Sequence, residues 1–151
     1  MIVSFVLPRD LRAQLIAEAR RAFPIECCGL VSGLINQSIA HGTALHPARN
    51  LSAACDRFEI DPARHIALSR ELRGTAQSLI GCYHSHPNGS AAPSPRDCDN
   101  TGENSFLWLI AALDGDAERE VQIAAFASAG IAFLPVNITD AQLDRAAATP
   151  L

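Results

Sequence analysis

No run of about 18 uncharged apolar residues occurs in this chain, so no segment has the length of a membrane-spanning helix. The first ten residues, MIVSFVLPRD, carry too short an apolar run and no basic leader for a secretory signal. Basic charge is scarce as well. Twelve Lys and Arg stand against sixteen Asp and Glu, the net charge is -4 with a pI near 5.7, and the arginines are scattered. Such a surface offers no footprint for a phosphate backbone, which excludes nucleic acid as a partner. Five cysteines, an odd count without repeated spacing, make no disulfide framework and fit the reducing cytoplasm. Internal repeats, low-complexity tracts and a linker long enough to divide the chain are all missing.

What is present describes one domain over residues 1–151, long enough to bury a single core. Hydrophobic residues make up 48% of the chain and charged residues 19%, ordinary globular usage. Residues 2–7, IVSFVL, read as a strand, followed by a helix over 8–23 with Leu11, Leu15, Ile16 and Ala19 on one face and Pro24 at its end. CCGLVSGLI and SIAHGTALHP read as two strands around the polar pair Asn36-Gln37, and RFEI as a short third. Asp61-Pro62 starts a helix that runs to about Gly74, the aspartate capping and the proline suiting the first turn. SLIGCYH is a strand, and Ser94-Pro95 opens a short helix carrying Asp97. FLWLIAAL, EVQIAAFAS and IAFLPVNI are three more strands, and Thr139-Asp140 opens a C-terminal helix. The alternation predicts an α/β domain, a mixed sheet flanked by helices.

The chemistry concentrates in GCYHSHPNGSAAPSPRDCDN, residues 81–100. Side chains alternate along a strand, so His84 and His86 project to one side about 7 Å apart along the backbone. Two imidazoles placed so can converge on one cation. Zinc takes nitrogen and carboxylate ligands and in catalytic sites keeps three protein ligands with water in the fourth position. Asp97 is the natural third ligand, because the turn-rich PNGSAAPSPR between can bring the chain back. By spacing alone a hydrogen-bonded histidine pair at a strand end accounts for the pattern equally well.

The complete pattern says more. His84-x-His86, seven residues, Ser94, two residues, Asp97, with Glu26 upstream in FPIECCGLVSG, resembles the JAMM (MPN+) zinc metalloproteases, and RFEIDP with PIECCGL is similar to their small bacterial single-domain members. The resemblance implies that His84, His86 and Asp97 bind one zinc ion and that Glu26, on a separate strand, contacts the metal-bound water as general base. It implies that Ser94 donates to the oxyanion on the scissile carbonyl. The substrate it implies is the C-terminal tail of a ubiquitin-like or sulfur-carrier protein, adding as a strand to a sheet edge beside the zinc. Two other readings compete. A metal-free MPN-type interaction scaffold would have lost the ligands, which are all present here, and a zinc nucleobase deaminase needs a Pro-Cys-x-x-Cys pair that the sequence lacks. Ser94 also suits a helix cap. Cys82 shares the face of the two histidines, yet a strand cysteine reads first as a small buried residue, as do Cys27 and Cys28; pairing of Cys98 with Cys82 would need oxidation. His41, His46 and His65 read as structural or solvent-facing, Phe106 and Trp108 as core. Oligomeric state is not legible.

Overall fold

A computed structural model describes residues 1–102 and 104–140. The elements run β1 (Ser4–Leu7), α1 (Arg9–Ala22), β2 (Cys28–Asn36), β3 (Ile39–Ala48), α2 (Pro62–Leu72), β4 (Ser78–His86), α3 (Pro95–Asp99), β5 (Leu107–Ala112), β6 (Gln122–Ala129) and β7 (Ala132–Asp140). The strands lie in the order β1-β3-β2-β4-β5-β6-β7, and a parallel pairing of β1 with β7 closes the sheet on itself. The expected mixed sheet is therefore present, with parallel pairs β1–β3, β1–β7 and β4–β5 among antiparallel neighbours. Closure leaves no open side at β4, which lies between β2 and β5. A tail cannot add there as a further strand, contrary to that expectation.

Three other expectations change. RFEI forms no strand: only Ile60 bridges, to Asn50, and the rest of 51–59 is a loop. The reason is local, since the loop closes on the Asn50 side chain and turns Phe58 inward instead of along a ladder. Thr139 and Asp140 end β7 in register with β1 instead of opening a helix, and the helix expected beyond them lies outside the described residues. The β2–β3 turn falls on Gln37-Ser38, one residue later than expected, with Gln37 at a φ of 55°.

The two faces of the sheet pack differently. One face buries Phe5, Leu7, Val31, Tyr83, Leu109 and Ala111 against Leu11, Leu15 and Ala19 of α1, at the predicted helical spacing, with Ile16 partly buried beside them. Tyr83 crosses over Gly29, where an added Cβ would meet its ring at 2.3 Å, and donates to the buried Glu18 carboxylate at 2.6 Å. The other face buries Leu30, Cys82 and Trp108 against Leu68 of α2. Strand alternation explains the division: Tyr83 and Ser85 face one way, Cys82, His84 and His86 the other. Asp61 caps α2 by accepting from the Ala63 amide, as predicted. Among the described residues no helix is long and apolar enough to cross a membrane.

Candidate active site

β4 carries its histidines to the sheet end, fully buried at His84 and 3% exposed at His86. After His86 the loop 87–94 turns back, and α3 delivers Asp97 in its first turn. The Nε2 atoms of His84 and His86 lie 3.0 Å apart, and the Asp97 carboxylate stands 3.2 Å from each, through Oδ1 and Oδ2. Donor atoms of the three residues all fall within 4.8 Å of one another. The Nδ1 of His86 lies 2.8 Å from the Ser90 carbonyl. A carbonyl only accepts, so Nδ1 holds the proton and the Nε2 of a neutral ring turns a lone pair toward His84 and Asp97.

Two ring nitrogens and a carboxylate this close suit a cation better than a shared proton, which can bridge one contact at a time. Four ligands around zinc with bonds of about 2.0 Å sit about 3.3 Å from each other, near the observed spacing. Electrostatics point the same way. Burial lowers the pKa of His84 and keeps it neutral, the form a metal needs. Burial also pulls His86 down, but its bonds to Asp97 and Ser90 and the charges of Asp97 and Glu26 win and raise it. Burial would raise Asp97, yet the bonds from His84, His86 and the Ser94 amide hold its carboxyl well below the usual range.

Glu26 lies two residues before β2 instead of on a strand. It is 4% exposed, with Oε1 at 3.9 Å from His86 Nε2 and Oε2 buried without a hydrogen-bond partner among the described residues. Burial lifts its pKa to about 7 against the pull of His86, with Asp97 and Asp56 adding to the rise. Ser94 caps α3 in a reciprocal box: its Oγ accepts from the Asp97 amide at 3.2 Å, and its amide donates to Asp97 Oδ2 at 2.7 Å. Because that Oγ accepts, its own proton stays available for another acceptor.

All five predicted residues thus meet in one place, and Glu26, His86 and Ser94 line a cleft of about 260 Å³. Cys55, Asp56 and Arg96 form its outer wall, with Arg96 and Asp56 paired at 3.2 Å. Arg96 also lines a second cavity of about 890 Å³ on the α2 face, floored by Phe58, Cys82 and Trp108, so one side chain stands between the two. Cys82 lies buried in this floor outside the ligand group, its thiol pushed up by burial, and all five cysteines are free. Burial also raises Cys27 to about 11 and Cys28 to about 12, which makes neither a nucleophile. His46 accepts from Arg64 at Nδ1 (3.5 Å) and bonds Ser32 at 2.8 Å, a structural role as expected. Trp108 is buried as expected, while Phe106 is half-buried and lines the larger cavity.

Sequence reasoning missed Phe58, whose ring stacks on His84, and Asn50, which closes the loop carrying Phe58. The available signals were the only phenylalanine in a polar loop and an asparagine ahead of it; neither reveals the long-range contact.

A family model of prokaryotic homologs of the JAB domain matches residues 8–125. The chain is 28% identical over 132 residues to the desampylase of Haloferax volcanii, covering 78% of this chain and 94% of that one. It is 22% identical over 135 residues to the CysO-cysteine peptidase of Mycobacterium tuberculosis, covering 89% and 91%. A solution structure of a Desulfitobacterium hafniense protein superposes with a TM-score of 0.79 at 23% identity over 92% of each chain, which supports the fold.

Proposed function

This chain belongs to the prokaryotic JAB-domain homologues, and on that premise we propose that it is a zinc metallopeptidase acting on the C-terminal tail of a small ubiquitin-like or sulfur-carrier protein. The bond cleaved is a peptide or isopeptide bond. The observation that carries this reading is the convergence of His84, His86 and Asp97, from β4 and α3, beside a buried Glu26 carboxylate with one oxygen unpartnered among the described residues. A scaffold would have no use for that set. Relatives named desampylase and CysO-cysteine peptidase fit hydrolysis at such tails.

His84, His86 and Asp97 would hold one zinc ion. When bound, zinc polarises the attacking water and the scissile carbonyl. The buried Glu26 carboxylate, beside the three ligands, takes a proton from that water and returns it to the leaving amine. The Ser94 hydroxyl, anchored through the α3 cap, donates to the oxyanion that develops on the carbonyl. The larger apolar cavity receives the tail, because the closed sheet offers no edge at β4. Cytoplasmic residence is part of the proposal and rests on the odd set of free cysteines.

The test incubates the zinc-loaded protein with a β-grasp carrier bearing a C-terminal extension and follows the carrier mass. Loss of the extension behind a diglycine end is expected. An intact carrier, against a control cleaved by a known tail peptidase, overturns the assignment.

A further inference from the structure

The geometry points to Asn50 as a positioning residue that aims the Glu26 carboxylate by holding the Glu26–Cys27 peptide group, an inference that rests on Glu26 as general base. Asn50 spends its whole side-chain amide on backbone. Its Nδ2 donates to the Glu26 carbonyl at 3.0 Å and to the Arg57 carbonyl at 3.5 Å, while its Oδ1 accepts from the amides of Ser52 at 2.9 Å and Glu59 at 3.0 Å. Two donors and two acceptor positions are all an asparagine has.

The other end of the same peptide group is held from β4. The Cys27 N–H donates to Ser85 Oγ at 2.8 Å, and the Ser85 amide returns a bond to the Cys27 carbonyl at 3.1 Å. Ser85 is fully buried and sits between the two histidines. The carbonyl of Glu26 and the N–H of Cys27 belong to one rigid plane, so Asn50 and Ser85 together fix its rotation. That rotation sets the direction of the Glu26 Cα–Cβ bond. It matters because among the described residues no hydrogen bond fixes Oε2 itself, and Oε1 reaches only to 3.9 Å from His86. Loop 51–59, with Phe58 on His84, hangs from the same asparagine, so base and ligand shell share one anchor.

Asn50→Asp separates the two tasks: a carboxylate still accepts from Ser52 and Glu59 but cannot donate to the Glu26 carbonyl. Two readouts decide. In metal-free protein, amide hydrogen exchange at Cys27 should quicken about 10-fold or more while Leu109 in β5 stays protected as before. In zinc-loaded protein, kcat should fall roughly 10- to 100-fold with KM little changed, and the same substitution in a Glu26→Gln background should cost less than about 2-fold, because a residue acting through Glu26 has nothing left to aim. Equal losses in both backgrounds, or wild-type exchange and turnover, overturn the inference. Should Asn50→Asp not fold, Ser85→Ala frees the other end of the same plane and carries the same expectations. If the wild-type protein cleaves no carrier while Asn50→Asp still quickens exchange at Cys27, the assigned reaction falls and the held peptide stands; an active enzyme in which Asn50→Asp changes neither readout removes the positioning role alone.

Discussion

The Phe58 ring lies on the His84 ring, with centroids 4.2 Å apart and planes 20° from parallel, while Trp108 meets the same imidazole edge-on at 5.8 Å. His84 Nδ1 has no hydrogen-bond partner among the described residues, so on that side of the imidazole the rings, and not a polar neighbour, hold it, while Nε2 faces Asp97 and His86. Groups that orient a metal ligand typically change metal affinity 10- to 100-fold. Phe58→Ala should therefore weaken zinc binding by about 10-fold or more, measured by chelator competition, with Phe58→Tyr near wild type. Equal affinity in all three proteins would make Phe58 mere cover.

Zinc content tests the ligand assignment directly. Protein purified without chelator should carry close to one zinc per chain, and His84→Ala or Asp97→Ala should carry little. A variant that keeps its full zinc removes that residue from the set.

The affinity should also follow pH in a fixed direction. Asp97 and Ser90 raise the pKa of His86, so at low pH a proton occupies the nitrogen that the metal needs. Zinc affinity should climb as pH rises through the His86 pKa, which lies above that of an ordinary histidine, and flatten beyond it, because Asp97 is ionised throughout. Removing the Asp97 charge lowers the His86 pKa, so the climb in Asp97→Asn should move to lower pH atop a weaker plateau. Chelator competition between about pH 5 and 9 reads both curves.

Ser94 combines two tasks that substitution can separate. Asparagine caps helices about as well as serine but lacks a hydroxyl. Ser94→Asn should keep zinc and thermal stability while hydrolysis slows roughly 10- to 1000-fold, the span for a lost oxyanion donor. Ser94→Ala should lose the rate and about 1 kcal/mol of stability as well. Full activity in Ser94→Asn would leave only the cap.

Most of the element order and the grouping of His84, His86 and Asp97 were legible because local signals carry them, whereas Glu26 and Ser94 came only with the family resemblance. Alternation places His84 and His86 on one face, and Ser94-Pro95 announces the helix that delivers Asp97. Sheet closure was not legible. The pairing of Ser4–Leu7 with Asn137–Asp140 joins opposite ends of the chain, and no local pattern records such a contact. RFEI misled for a related reason: Phe58 and Ile60 alternate as in a strand, but Asn50 takes the Glu59 amide and folds the segment into a loop. Glu26 was legible as a residue and not as a geometry, since its reach to His86 depends on a peptide held by Asn50 and Ser85.

Glu26→Gln tests the base most sharply. Glutamine preserves size and one carbonyl oxygen but cannot take a proton from water. Glu26 approaches His86 only at 3.9 Å and stands outside the His84, His86 and Asp97 group, so the variant should keep its zinc. Tail binding should survive too, because the larger cavity beside the cleft does not include Glu26. Turnover should fall by about 100-fold or more. Zinc content, tail affinity and turnover measured on one preparation divide the outcomes: lost metal would make Glu26 a ligand, weakened tail binding would make it a substrate contact, and retained turnover would pass the proton to another group. Asp56 would then be the first to examine, since it lines the same cleft and its charge already helps raise the Glu26 pKa.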